Sequence, residues 1–395
     1  MQSIDLKSIE FFQNPYPTYQ LIREHGPVWV DIDEDYESKG LWVFGGYADA
    51  LELLKQTNSV TKNYAAHKDA ENTLTYDKHV LNQDGSSHIK MRSISKDLTS
   101  KNLPEQAKIY IKHEVDLLKE KILSLDREID LVKDFAELLP VRIITRIMGL
   151  PIEDANLFLN PSRNIIIDSF NLSQDDKKAR RASIQFFQEY LSSLINSNYI
   201  FPSGSLLASY LKSEQSNLIS RDELIANAAF MINAGHVTTA DLISNGLLLL
   251  LTHPDQLDLL IKKPVLWPSA VEEILRFESP TQRTTFRLTK SDLCIAGKSL
   301  SKNTQVTVLL GSANRDERVF KNADSFNVSR NPNPHIAFGS GIHVCQGRSI
   351  ARLEAQMAFE SLAPILKKVS LSDESLIWKN SGFLRGLTTL KVQRV

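Results

Sequence analysis

Near its C-terminus the chain reads FGSGIHVCQGRSIARLEA, from Phe338 to Ala355. This sets Cys345 among Gly339, Gly341 and Gly347, with His343 two residues upstream. A cysteine that ligates a metal carries its charge as a thiolate, and backbone amides can support that charge only where side chains leave room. The glycines supply the room. The segment RSIARLEAQMAFESLAPIL that follows is patterned as a helix, so Cys345 stands just ahead of a helix N-terminus. The positive dipole end there is expected to lower the thiol pKa. A buried structural thiol is the ordinary use of a lone cysteine, but it does not call for such surroundings. Zinc fits poorly, because His343 and Cys345 offer at most two ligands and a structural zinc takes four. A catalytic Cys–His pair usually draws its histidine from a distant part of the sequence. Thiolate ligation of haem iron needs one protein ligand and an apolar or aromatic shield, and Phe338 is placed to be that shield.

The ten residues Phe338 to Gly347 resemble the haem-binding signature Phe-x-x-Gly-x-x-x-Cys-x-Gly of the cytochrome P-450 family, in its soluble bacterial form. Other segments match in order along nearly the whole chain. The resemblance implies that Cys345 is the proximal ligand of a haem b iron, in a loop shaped by Phe338, Gly339 and Gly347. Such a thiolate pushes electron density toward cleavage of the O–O bond. His88 and Arg92, in DGSSHIKMR, are four apart and share a helix face, and they resemble the family's His-x-x-x-Arg. Arg287 occupies the propionate-arginine position, and His343 is a further donor. Read singly, each is a surface charge; as a set with Cys345 they imply an anchor for the haem propionates, to which a planar guanidinium is suited. Lys90 and Arg348 are expected to be solvated neighbours. Glu273-Ile-Leu-Arg276 resembles the family's Glu-x-x-Arg, and residues three apart on a helix can pair. Similarity implies a buried network there, with Arg330 as the third member, holding the haem loop rather than catalysing.

A second stretch, Ala234-Gly-His-Val-Thr-Thr239, lies within a long apolar segment. A glycine inside a helix costs about 1 kcal/mol against alanine, so Gly235 marks either a packing notch or a space kept open. The resemblance implies an oxygen pocket over the haem, with Ala234 and Gly235 making room and Thr238 steering protons. The family's acidic residue before that threonine is replaced by Val237, which can neither accept nor relay a proton. His236, Asp241 or a substrate group would have to substitute, or oxygen would arrive as peroxide, or slower O–O cleavage is tolerated.

The elements that must position these residues are mostly helical between about Pro104 and Leu260. KIYIKHEVDLLKEKIL (Lys108–Leu123) spaces Ile109, Val115, Leu118 and Ile122 as one buried helix face. Asp134–Pro151 should end as a helix at Gly149 and Pro151, and Arg181–Ile195 is amphipathic. From Arg221 to about Thr252 runs a longer apolar helix with a Ser220–Glu223 capping box at its start and His253-Pro254 at its end. About thirty residues at a 1.5 Å rise cross a whole globule, so this helix belongs in the core. Strand patterns occur in VWVDI and LWVFGGY near the N-terminus and in Asp292–Asp316, around turn candidates Gly297 and Lys302-Asn303. Cys294 reads as a small apolar strand residue, and His253 and His335 as loop or cap residues. The fold class is thus mainly α with small antiparallel sheets. Residues 1–395 form one domain, which the resemblance makes a P-450 fold with a long central helix over the haem and the cysteine loop beneath it.

With 395 residues, 42% of them hydrophobic, the chain can bury a large core. Lys plus Arg (46) and Asp plus Glu (47) nearly cancel, which gives no electrostatic case for nucleic acid or an anionic membrane. Two cysteines show no secretory framework, the start lacks a signal-peptide layout, and the longest apolar run is too short to span a bilayer. These features point to a soluble, cytoplasmic protein. The resemblance implies a haem-thiolate monooxygenase or oxidase fed from NAD(P)H by a separate ferredoxin or flavodoxin system, because no flavin or iron–sulfur segment is present. Arg92, Arg348 and Arg352 would lie on the proximal face and meet an acidic partner. Substrate contacts are expected from Val60–Ser86, Asn156–Ser205, Pro280–Phe286 and Ser381–Leu384. Tyr64, Phe158, Phe170, Phe286 and Phe383 in these loops suggest a small, largely apolar or aromatic natural-product-type ligand. Oxidative coupling of phenols is the second reading, and a haem-based sensor the third.

Overall fold

The computed structural model describes residues 4–31, 40–63, 75–99, 103–125, 128–166, 173–372 and 376–394. Its organising element is the helix Arg221–Thr252. The Ser220 hydroxyl accepts from the Glu223 amide at 3.2 Å, and the Glu223 carboxylate accepts from the Ser220 amide at 2.8 Å. The capping box read from the sequence therefore satisfies two of the amides that a helix start leaves unpaired. Among the described residues this is the one helix long and apolar enough to cross a bilayer, but 78% of its most apolar stretch is buried inside the protein. Helices Leu138–Met148, Gln174–Asn196, Trp267–Phe277 and Arg348–Leu366 pack around it. Gly246 permits one of these approaches, since a Cβ there would lie 2.2 Å from the Phe359 ring. One apolar cluster joins Ile243, Leu247 and Leu250 to Phe359 and Leu362. Another joins Leu224, Ala228 and Ile232 to Phe158, Phe187 and Tyr210.

Two helix expectations change in detail. Helix Leu103–Leu123 buries Ile111, Val115, Leu118 and Ile122, while Ile109 is 72% exposed. The steps from 111 are four, three and four. Ile109 is rotated about 200° from Ile111 around the axis, which puts it in water. The predicted helix from Asp134 divides into a π turn, Val132–Ala136, and an α-helix, Leu138–Met148, which stops at Gly149 in the left-handed region (φ 78°) as expected. His253 caps the long helix, and the next helix, Pro254–Lys262, begins at once.

The sheets are small. The largest has strand order Val28–Asp31, Gly40–Phe44, Gln305–Val308, Arg287–Thr289, Val60–Thr61. One of its pairings is parallel rather than antiparallel: Trp42, Val43 and Phe44 run alongside Val306, Thr307 and Val308. A parallel pair needs a crossover between its strands, and here the crossover is most of the helical body. Leu293–Ile295 and Lys298–Leu300 form a hairpin around Ala296 and Gly297, both at positive φ, as a two-residue primed turn requires. Cys294 stands on a strand of that hairpin, as expected, and is exposed because alternation turns its neighbour Ile295 inward.

Candidate active site

The cysteine loop is held by its own backbone. The Cys345 amide donates to the Phe338 carbonyl at 3.0 Å, and the Gly339 amide to the Ile336 carbonyl at 2.8 Å. Gly339 and Gly341 sit at φ 73° and 74°, and a Cβ on Gly341 would lie 2.5 Å from the Leu54 carbonyl oxygen. That position admits only glycine. The Gly347 amide donates to the Cys345 sulfur, as the glycine pattern suggested. The expectation of a lowered thiol pKa does not survive: burial pushes it up, and the Gly347 amide with Arg348, Arg92 and Arg352 only partly offsets this. Dehydration outweighs the helix dipole in the isolated chain.

The three basic residues expected on the proximal face lie around this loop. Arg348 donates to the Cys345 carbonyl at 2.8 Å and Arg92 to the Val344 carbonyl at 2.9 Å. Arg352 makes two hydrogen bonds to Glu272, at 2.6 and 2.7 Å, and lies 4.5 Å over the Phe338 ring. His335, expected in a loop or cap, joins the same carboxylate at 3.0 Å. Burial would raise the Glu272 pKa, but hydrogen bonds from His335 and Arg352 hold it at about 2. Beside this lies the Glu-x-x-Arg network. Glu273 and Arg276 are fully buried and joined by two 2.8 Å hydrogen bonds, and Arg330 donates to Glu273 at 3.0 Å as expected. Arg276 also donates to the carbonyls of Asn314 and Ala323.

A cavity of about 730 Å³ lies between the cysteine loop and the long helix. Phe338, Gly339, Cys345 and Gly347 line one side, and Ala234, Gly235 and Thr238 belong to another. Val237 is buried and does not line it. His88, Arg92, Arg287 and His343 all reach the cavity, although they come from three separate parts of the chain. The two imidazoles lie 4.5 Å apart, and His343 faces Asp84 at 3.3 Å. Burial pushes the His343 pKa down to about 4, and burial with the charge of Arg92 lowers that of His88, whose Nε2 is buried without a partner. Lys62, which sequence reasoning missed, joins them. It is 3% exposed, its ammonium donates to the Thr285 hydroxyl, and burial and Arg287 drive its pKa well below the usual lysine range. No local pattern marked it, because the strand Val60–Thr61 meets Leu288 and Thr289, beside Arg287, only in the fold. Buried cationic and imidazole groups around an orphaned ring nitrogen suit a dianionic edge, and a lone thiol beside an apolar wall suits one iron. The residues present therefore fit a haem.

On the long helix, the Thr238 hydroxyl donates to the Ala234 carbonyl at 3.1 Å. A Cβ on Gly235 would lie 2.7 Å from Ile144, so the glycine is needed for packing as well as for space. Neither side chain offered as a substitute for the missing acid reaches the cavity. His236 turns its Nδ1 to the Ile232 carbonyl at 2.7 Å, and burial lowers its pKa to about 4. Asp241 is paired with Lys379 in a recess that exists because residue 386 is glycine. Lys90 pairs with Glu223 at 3.1 Å.

All four predicted substrate segments contribute to the lining. Phe286 and Phe383 flank the Arg283 guanidinium, at 4.9 and 5.6 Å from their ring centres. Phe158 does not reach the cavity; it packs against Phe187 and Tyr190 in the core. Tyr64 and Phe170 lie outside the described residues. Phe230 and Met231 were missed, yet they precede Ala234 by four and three residues, a helical spacing that could have found them.

Comparison with known proteins agrees with this architecture. The cytochrome P450 family model matches residues 260–374. A cytochrome P450 of Bacillus subtilis (strain 168) is 33% identical, covering 98% of this chain and 96% of its own. The biotin biosynthesis cytochrome P450 of the same organism is 32% identical over 93% and 92%. The crystal structure of a myxobacterial cytochrome P450, CYP267B1, in complex with myristic acid superposes with a TM-score of 0.90 at 29% identity, covering 98% of each chain. A long core helix over a glycine-framed cysteine loop is thus the architecture of haem-dependent oxygenases, and the chain belongs to the cytochrome P450 family. It is an oxidoreductase whose family carries haem iron and acts on small molecules.

Proposed function

We propose that residues 1–395 form a single cytoplasmic haem-binding domain that hydroxylates a small, largely apolar or aromatic natural-product-type substrate. Electrons come from NAD(P)H through a separate ferredoxin or flavodoxin system. Cys345 is the single protein ligand of a haem b iron. One observation carries this reading: a buried thiol, with the Gly347 amide on its sulfur, opens into a cavity shared with Thr238 and with His88, Arg92, Arg287 and His343. Bound haem supplies one-electron chemistry and dioxygen activation, which no side chain of the chain can provide. Arg92 and Arg287 would hold the propionates as cations, and neutral His88, whose Nε2 has no partner, would donate its ring N–H to them, while His343, hydrogen-bonded to Asp84, would close the same edge beside it. Phe338 and the glycine loop exclude water from the sulfur. Ala234 and Gly235 keep space at the distal wall, and the Thr238 hydroxyl presents a proton there. With Val237 inert and His236 and Asp241 turned away, the proton behind Thr238 comes from water or from the substrate.

That last feature favours a second reading, oxidative coupling of phenolic substrates, in which a substrate hydroxyl supplies the proton and hydrogen abstraction matters more than oxygen insertion. The reduced, carbon-monoxide-bound spectrum tests the centre. A red-shifted Soret band that is lost in Cys345→Ser is expected, and its absence from the wild-type protein overturns thiolate ligation. A normal band without turnover under any electron donor or peroxide would instead mark a haem-based sensor.

A further inference from the structure

The distal half of the cavity is largely apolar, and apart from Arg283 between Phe286 and Phe383 its cationic groups come from one helix. Ile144, Ile147, Ile165, Phe230, Met231 and Phe383 line it, but the helix Gln174–Asn196 turns Lys177, Arg180 and Arg181 toward the same space. These are spaced i, i+3 and i+4, so they share one helix face. The Arg180 Nε is buried and makes no hydrogen bond. Among the described residues no ion pair engages its guanidinium. Arg180 lies close enough to Tyr76 and His79 for its charge to be felt by both rings. Two further polar atoms there are buried and unpartnered: His79 Nδ1 and Asn233 Oδ1, on side chains 5% and 1% exposed. Buried polar atoms in native proteins are nearly always satisfied, and an unpaired buried guanidinium N–H is among the costliest to leave.

The cavity lining holds two carboxylates, Asp77 and Glu354. Among the described residues neither forms an ion pair with Arg180, and burial raises the Glu354 pKa well above the usual carboxylate range. The cations beside His88 and His343 answer to the propionates in the function proposed above. Arg180 comes from a different element, the helix Gln174–Asn196, and it shares the surroundings of His79 with Lys62, whose charge that ring also feels. We infer that Arg180 and His79 form a carboxylate-binding subsite, and that the substrate is a chain-like aliphatic acid whose carboxylate is held there. A carboxylate has two oxygens, one for the guanidinium fork and one for the His79 ring N–H, which matches the orphaned donors. The apolar lining accepts the chain.

The subsite also fixes where oxidation falls. His79 stacks on Phe230 at 4.3 Å, and Phe230 precedes Thr238 by eight residues, about 12 Å along the helix axis. A carboxylate held at His79 thus keeps its α- and β-carbons away from the oxygen pocket, and the reacting carbon lies well along the chain.

The inference rests on the haem reading, so its test begins with the carbon-monoxide spectrum of each holoprotein to establish that the centre is intact. Tetradecanoate and its methyl ester are then titrated while the haem spin state is followed. The wild type is expected to bind the acid at least tenfold more tightly than the ester. Arg180→Gln is expected to lose that preference, with the ester affinity unchanged. If Arg180→Gln does not incorporate haem, Arg180→Lys should retain a reduced preference, and the wild-type comparison alone still decides. Equal affinity for acid and ester, binding of neither, or a preference retained in Arg180→Gln overturns the inference while leaving the thiolate centre standing. Product from the wild type oxidised at the α- or β-carbon overturns the placement of the carboxylate at His79.

Discussion

Gly235 shows how one position can carry two readings at once. Its place in the cavity wall suits an oxygen pocket, while a Cβ there would press on Ile144 at 2.7 Å, and Ile144 lines the same cavity. Alanine would recover about 1 kcal/mol of helix propensity, but overpacking a rigid core costs about 1–3 kcal/mol. Gly235→Ala is therefore expected to lower stability by about 1 kcal/mol. In an Ile144→Ala background, which removes both Cγ1 and Cδ1 at 2.7 Å, the cost of Gly235→Ala should vanish. Denaturant unfolding of both single variants and the pair measures the coupling directly; additive effects would mean that Ile144 does not limit residue 235. Lys62 teaches the converse lesson. No periodicity marks it, and its importance appears only when the fold removes it from water beside Arg287.

At the scale of elements, the Glu273–Arg276–Arg330 network joins the helix Trp267–Phe277 to the segment that enters the cysteine loop. The Glu273 carboxylate accepts from both arginines, from the Asn327 amide at 2.9 Å and from the Asn333 side chain at 3.1 Å. Removing its charge would leave two arginines, one of them fully buried, without their counter-ion. Breaking a buried pair by one partner costs about 3–5 kcal/mol. Glu273→Gln should accordingly unfold at markedly lower denaturant and retain less haem, whereas Lys112→Gln, which removes an exposed pair to Asp116, should lose little. The resemblance implied this network; the i, i+3 spacing alone shows only that Glu273 and Arg276 can pair. The Glu272–Arg352 pair joins two helices, and no local spacing shows it. The same limit explains Ile109: one misread step in a four-three-four pattern moves a side chain from core to water.

Across the whole molecule, legibility followed the range of the interaction. The capping box, the stop at Gly149 and the glycine frame of Cys345 depend on residues within a few positions, and all were readable. The parallel pairing of Trp42 with Val306, the burial of Lys62 and the approach of Arg180 to His79 join distant segments, and no local pattern encodes them. Burial on this scale also sets the response to acid. His236 lies on the central helix, 2% exposed, and burial holds its pKa at about 4. In the unfolded chain it protonates near its ordinary value of about 6.5. Below that value the unfolded state binds a proton the native state refuses, so stability is whole above about pH 6.5 and falls as the pH drops toward 4. The slope for one such group approaches 1.4 kcal/mol per pH unit, or about 3 kcal/mol over the window. Buried His79, held at about 3, adds a second contribution of the same sign. His343, held at about 4, acts in the same direction. His236→Gln keeps a hydrogen-bonding side chain that cannot protonate, and it should flatten the loss of stability between pH 6.5 and 4 by up to about a third. Urea unfolding midpoints across that range, compared between wild type and variant, measure the difference. Parallel curves would mean that His236 is not neutral in the native core.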